Sequence, residues 1–284
     1  MKKILLTTTV LAFSAGFAAA EVSISGSAFM GLNYQENRGG GAADEVQTDA
    51  DVNINFSMSG ETDGGLTFGA GTNHIVNDNG ALANDDTSVY ISGAFGKISM
   101  GAVGEAGELG GIGDFGNAGI DFDDTVEDLY ADNHNVNYSA SFGDLSFSAS
   151  ADVGNATDSF GIGATYNFGM VSAGIGYTST AADMDELTLK VVGTFDAIKV
   201  TAIYADFELN DNQAYAVAVD YTMGDMTLSA GFADADFTPG GAVLADGSFG
   251  VGVKYNLGGG ATVQGALGSV NDVMRAEIGV AMSF

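Results

Sequence analysis

Apolar and polar residues alternate along most of this chain, in segments separated by glycine-rich or polar connections. In one segment, apolar residues occupy every second position from 50 to 58, and Asp, Asn and Ser occupy the positions between them. The final segment, 274–284, has the same pattern. A period of two residues places alternate side chains on opposite faces of a β-strand. The chain is therefore predicted to be all-β, with strands that have one apolar and one polar face.

Sixteen such strands are predicted, beginning near residues 22, 49, 66, 87, 98, 135, 145, 159, 170, 186, 198, 213, 226, 248, 261 and 274. Their connections alternate between short turns (60–65, 94–97, 142–144, 168–170, 196–197, 223–225 and 258–260) and longer polar loops (36–47, 75–86, 179–185 and 234–246). An even number of short strands with this alternation is typical of bacterial barrels that cross a membrane. We therefore predict a sixteen-stranded antiparallel transmembrane β-barrel, because only helices and closed barrels satisfy their backbone groups in lipid.

The two faces of the predicted strands differ as a lipid-embedded barrel requires. The apolar face has no Asp, Glu, Lys or Arg in these segments, and a Lys or Arg at mid-membrane would cost ~2–4 kcal/mol. The opposite face is mostly Ser, Gly, Ala, Asn and Asp, which fits a water-filled lumen better than the surface of a soluble β-sandwich, the alternative fold. Aromatic residues on the apolar face predict one girdle near the long loops (Tyr34, Phe160, Tyr177, Tyr204, Tyr215, Phe232, Phe249) and one near the short turns (Phe147, Tyr166, Phe168, Phe195, Tyr221, Tyr255, Phe284).

The charge balance excludes some partners. The chain has 37 acidic residues and only 8 Lys and Arg, a net charge of −29. Nucleic-acid binding needs a basic face, so no nucleic-acid partner is expected, and cations and basic solutes are the natural partners. There is no cysteine, so the stability of the fold does not come from disulfides.

The first twenty residues are predicted to be a cleaved signal peptide. Lys2 and Lys3 precede a short apolar stretch, and Ala18, Ala19 and Ala20 provide a small-residue cleavage site. Residues 21–284 would then form the barrel. Export combined with a transmembrane barrel predicts the outer membrane of a Gram-negative bacterium, with outer-membrane lipid as a partner.

One long connection, the third loop at 104–133, has no clear strand pattern. It contains no Lys or Arg and nine acids: Glu105, Glu108, Asp114, Asp121, Asp123, Asp124, Glu127, Asp128 and Asp132. Long loops in compact folds are more often functional or disordered than incidental. The alternative is a flexible acidic surface loop.

Three segments resemble those of Gram-negative general porins, and in particular the sixteen-stranded trimeric porins of purple photosynthetic bacteria. They are 58–70 (MSGETDGGLTFGA), 92–98 (SGAFGKI) and 255–261 (YNLGGGA), together with the final Phe284, which is similar to the family's assembly signal. The segment 113–117 is similar to the acidic-Phe-Gly tip of the family's third loop. The resemblance implies that the third loop folds into the lumen and narrows it. It also implies a homotrimer, for which Gly26, Ala28, Gly69, Ala70 and Gly93 would suit close packing.

The resemblance further implies basic residues on the wall that faces the acidic loop. This chain departs from the family's arginine cluster. Its lumen face offers Lys190, Lys254 and Arg275 as pore-wall bases, with Lys199 and, in the first loop, Arg38, and it has Phe29 where such porins often have a basic residue. The pore constriction is assigned to Glu105, Glu108, Asp114, Asp121, Asp123, Asp124, Glu127 and Asp128. Because acids outnumber bases, we expect a preference for cations.

Other chemistry has weaker support. His74 and His134 are interpreted as ordinary wall or rim histidines, and the chain has no G-x-S-x-G. Gly111, Gly113 and Gly116 match G-x-G-x-x-G, but no helix follows and the acids nearby would repel a pyrophosphate. No cofactor is expected, although Asp121, Asp123, Asp124, Glu127 and Asp128 could bind a divalent cation such as Ca²⁺.

The predicted function is an outer-membrane general porin for passive diffusion of small hydrophilic solutes and ions. The alternative is a structural or adhesive barrel without an open pore, which large loops on a small barrel would favour. An enzyme is not expected, because no nucleophile–base pair is evident.

Overall fold

The computed structural model describes residues 20–41, 43–76, 82–113, 115–116, 120, 134–154, 159–180, 185–208, 212–235 and 247–284. The strands are β1 (Glu21–Gln35), β2 (Val46–Glu61), β3 (Thr67–Val76), β4 (Leu82–Gly93), β5 (Gly96–Gly101), β6 (Val136–Phe142), β7 (Leu145–Ala151), β8 (Phe160–Asn167), β9 (Val171–Ser179), β10 (Asp185–Phe195), β11 (Ile198–Phe207), β12 (Asn212–Met223), β13 (Met226–Ala235), β14 (Ser248–Gly258), β15 (Ala261–Val270) and β16 (Val273–Ser283). The predicted signal peptide, apart from Ala20, lies outside the described residues.

The strands form one closed barrel in which each pairs antiparallel with its neighbours in sequence. The barrel closes where β1 pairs with β16, along the register from Ser27–Ser283 to Gln35–Arg275. Backbone hydrogen bonds between Gly26 and Phe284 extend this seam to the last residue. The prediction of a sixteen-stranded antiparallel barrel is confirmed.

Most strand starts lie within two residues of the predicted ones, and the main exception is β4. It begins at 82 rather than 87, because its register with β3 shifts between Gly71 and Asn73. A shift of this kind interrupts the two-residue alternation on which the prediction depended. β2 likewise begins at 46, three residues early.

Short turns and longer loops lie at opposite ends of the barrel. The first strand begins and the last strand ends at the side of the short turns. The first long loop contains a tight turn, α1 (Arg38–Gly41), whose backbone is left-handed at Gly39 and Gly40 and is therefore not a regular α-helix. Among the described residues, no helix is long and apolar enough to cross a membrane.

The outward face is apolar at the middle of the strands and polar at the loop end. Large apolar side chains such as Ile162, Ile175 and Val251 are exposed on it. Exposed aromatics lie at both ends: Phe160, Tyr215, Phe232 and Phe249 near the loops, and Tyr166, Phe168, Phe195, Tyr221, Tyr255 and Phe284 near the turns. At the loop end, outward-facing tyrosines donate hydrogen bonds to aspartates: Tyr177 to Asp185, Tyr204 to Asp206 and Tyr215 to Asp234. These acids mark the upper limit of the apolar belt, because carboxylates are stable only where water or headgroups reach them.

The inward face consists mainly of small and polar residues, with a few larger apolar side chains and some aromatic rings that lie against wall glycines. Phe29 is buried on this face, and its ring covers Gly31 and Gly279. Tyr90 covers Gly69 in the same way. The outward packing role expected for Gly69 is therefore wrong, since this glycine faces the lumen.

Candidate functional site

The third loop spans residues 102–135, between β5 and β6, and its two ends run side by side. The Gly101 amide donates to the carbonyl of Asn135 (3.0 Å), and the Ala102 amide donates to that of Thr87 (2.9 Å). The Asn137 side chain donates to the carbonyl of Gly104 (3.2 Å). Both ends of the loop therefore leave the wall at one place.

The first described part of the loop lies directly on the inner wall. The Ala106 amide donates to Ser150 Oγ on β7 (2.7 Å). A Cβ atom on Gly163 would overlap the carbonyl oxygen of Ala106, and one on Gly176 would overlap that of Gly107. The loop backbone can approach β8 and β9 this closely only because glycines line the wall there.

The returning end of the loop is fixed to the same wall by a buried histidine. His134 Nδ1 lies 2.6 Å from Ser150 Oγ, and Nε2 lies 3.1 Å from Ser159 Oγ. Glu105 Oε1 lies 4.0 Å from Nε2. Ser150 thus contacts both the outgoing and the returning part of the loop. His134 is not an ordinary wall or rim histidine, because it anchors the loop.

The next part of the loop, 109–111, is held by β10. Lys190 Nζ donates to the carbonyls of Leu109 (3.1 Å), Gly111 (2.8 Å) and Gly110. Gly110 has φ +66°, a left-handed conformation that lets successive carbonyls turn towards one ammonium group.

The far part of the loop contacts the opposite wall. Phe115 and Ile120 are buried and joined by a backbone hydrogen bond of 3.2 Å. A Cβ atom on Gly250 of β14 would lie 2.6 Å from Ile120 Cγ2 and 2.9 Å from Phe115 Cδ2. These two side chains belong to an apolar cluster on the inner wall: Ile203, Ala205, Phe207, Ala214, Ala216, Ala218, Ala233, Ala235, Ala266 and Val270.

The described parts of the loop contact the inner faces of β7–β10 and of β14–β15, so they lie inside the barrel. The expectation that the third loop folds into the lumen is therefore confirmed. Sequence reasoning missed the wall glycines that accommodate it. These glycines could have been recognised because glycine recurs at successive lumen-facing positions, as in 161–163, 174–176 and 250–252.

Two of the predicted constriction acids are described, and they differ. Glu108 is exposed and lines a recess of about 560 Å³ beneath the loop, together with Lys97 and serines of β6 and β7. Glu105 is mostly buried beside His134. The other six lie outside the described residues: Asp114, Asp121, Asp123, Asp124, Glu127 and Asp128. The divalent-cation hypothesis stays a prediction, since its five residues are among these, and the described part of the chain has no group of three potential metal ligands.

The predicted wall bases have different surroundings. Lys254 is exposed, Arg275 is half-buried, and Lys190 is bound to the loop. Lys199 pairs with Asp220 at 3.8 Å, and Arg38 donates to Asn33 and Gln47. Lys97 was missed by the sequence analysis. It pairs in register with Ser92 and Ser139 of the lumen face, and its Nζ lies 4.5 Å from the Tyr90 ring. Lys97 occupies a lumen-facing position of β5, and the two-residue alternation could have identified it as a pore-wall base.

Comparison with known proteins agrees with this architecture. Residues 7–273 match the family described as Gram-negative porin. This chain belongs to the Gram-negative porin family. This porin is 32% identical to a porin of Rhodobacter capsulatus and 27% identical to one of Fuscovulum blasticum, in each case over 93% of this chain and all of the relative.

Solved structures show the same fold. A variant of the Rh. blastica porin aligns with this porin at a TM-score of 0.80 and 23% identity, and a porin refined at 1.8 Å resolution aligns at 0.70 and 28% identity. Each alignment covers 93% of this chain and all of the other. Family and fold together place this porin in the outer membrane of a Gram-negative bacterium, as a multi-pass β-barrel. The predictions of family and localisation are confirmed.

Proposed function

We propose that this porin is a passive diffusion channel for small hydrophilic solutes and ions, that its third loop forms the constriction, and that it prefers cations. The observation that supports this most is the course of the loop. Attachment to both sides of the inner wall leaves less of the cross-section open at that level than elsewhere. The acids of the loop would then lie where the path is narrowest, and there a fixed charge acts most strongly on a passing ion.

Stepwise conductance is the test of the channel itself. Purified protein in a planar lipid bilayer should produce discrete, ohmic current steps. We also propose a homotrimer, on the basis of the family, and in that case the steps should occur in groups of three. Heat-denatured protein is the control. A bilayer that stays sealed at high protein concentration would show instead a structural or adhesive barrel without an open pore.

Cation preference should depend on the acids of the third loop. Changing Asp121, Asp123 and Asp124 to Asn should lower the cation preference measured as reversal potential in a salt gradient. The effect should be strongest at low salt, because the Debye length is about 10 Å at 0.1 M and shorter at higher concentration.

The matched control removes three exposed carboxylates from the short turns. Asp63, Asp144 and Asp225 changed to Asn alter the net charge equally but lie away from the loop. Their variant should retain most of the cation preference. If both triple variants have the same reversal potential, or if the unchanged protein prefers anions, the loop is not the selectivity filter.

A further inference from the structure

We propose that Lys190 is a positioning residue that holds the third loop in its conducting position, rather than a wall charge that acts on passing ions. The inference rests on the proposed function, because it concerns the loop assigned as the constriction. Lys190 occupies a lumen-facing position of β10, and the sequence pattern therefore predicts it to be a pore-wall base. The contacts of its ammonium group indicate a different role.

Three consecutive carbonyls of the loop, from Leu109 to Gly111, accept hydrogen bonds from the single Lys190 ammonium. An ammonium group has three hydrogens, so these acceptors match its full donor capacity. Charge-assisted hydrogen bonds are about twice as strong as neutral ones. This ammonium is therefore directed at the loop backbone and not at the water-filled path.

The surroundings on both sides suit this contact. Lys190 pairs in register with Gly174 on β9, and a Cβ at that glycine would lie 3.1 Å from Leu109 Cδ1. The Leu109 side chain therefore packs against the wall at this glycine, next to the lysine that binds its carbonyl. On the loop side, Gly110 at φ +66° turns the carbonyls inward, a conformation that is strained for other residues.

The held segment joins two parts of the loop that matter for selectivity. Exposed Glu108 directly precedes it, and the acidic stretch that begins at Asp114 follows it. When the clamp is lost, this segment can leave the wall, and the neighbouring Glu108 is then no longer fixed beside the path. Losing charge-assisted hydrogen bonds of this kind raises the population of a released loop by on the order of tenfold.

The two roles predict opposite changes in selectivity. Lys190→Met should lower the cation preference and increase open-channel current noise. If Lys190 were a wall charge, removing it would instead raise the cation preference. Lys254→Met is the matched control, since Lys254 is exposed at the lumen parity of β14. Its loss should raise the cation preference without added noise. Lys190→Arg, which keeps the charge and the donors, should restore most of the original behaviour.

Thiol labelling measures the attachment of the loop independently of ion current. The chain has no cysteine, so Ile112→Cys would introduce a single thiol in a partly buried part of the loop. Its reaction with a water-soluble maleimide should be about tenfold faster beside Lys190→Met than beside Lys190. Equal rates, or a Lys190→Met channel that behaves like Lys254→Met, would overturn the clamp. If the unchanged protein itself shows no cation preference, the proposed function is contradicted instead.

Discussion

Ile162→Lys is expected to destabilise the barrel by about 2–4 kcal/mol, the cost of a basic side chain on the lipid face near mid-membrane. Ile162 lies on β8, is exposed on the outward face, and pairs with Ala149 of β7. Its ammonium would lie in hydrocarbon with no partner. The measurement is the midpoint of urea unfolding in lipid vesicles. The folded fraction at each urea concentration is read from the heat-dependent gel shift of the barrel.

Thr165→Lys is the matched control for this change. Thr165 lies three residues further along β8, on the opposite face, and lines the recess of about 560 Å³ beneath the third loop. The same charge placed there remains in water, so the free energy of unfolding should change by less than about 1 kcal/mol. Equal destabilisation by both substitutions would contradict the assignment of outward and inward faces.

Replacing the two wall glycines under the loop should reduce ion flow. In a Gly163→Ala, Gly176→Ala variant, each new methyl group would overlap a loop carbonyl, so the loop must retreat from the wall by roughly 1–2 Å to restore van der Waals separation. Movement away from the wall is movement towards the channel axis. We therefore expect lower single-channel conductance and slower swelling of liposomes in sugar solutions.

Gly71→Ala is the control for the glycine variant. Gly71 also faces the lumen, but its new methyl group would meet only the carbonyl oxygen of Phe56, at an ordinary 3.6 Å. Its conductance should match that of the unchanged protein. If the double variant also conducts normally while remaining folded, the loop is not held against β8 and β9 in the membrane.

Much of the barrel could be predicted from the sequence because its determinants are local. Alternation such as that at 50–58 reflects the pleat of a single strand, and lipid outside with water inside enforces it along each strand. The strand count and the inward or outward face of most residues follow from that period. The prediction from this period failed at the start of β4, where a register shift near Gly71 of β3 breaks the alternation.

The course of the third loop was expected only through family resemblance, and its attachments were not predicted at all. They join residues far apart in the chain: Ala106 to Ser150, Lys190 to Gly110, and Phe115 to Gly250. In the sequence, the wall glycines look like ordinary small lumen residues, and Lys190 looks like any lysine at a lumen position. The barrel shape and the acidic character of the loop were determined by the sequence itself, because both are properties of short segments. Which residues hold the loop was decided only by the tertiary structure, because barrel closure brings strands that are distant in sequence around one interior.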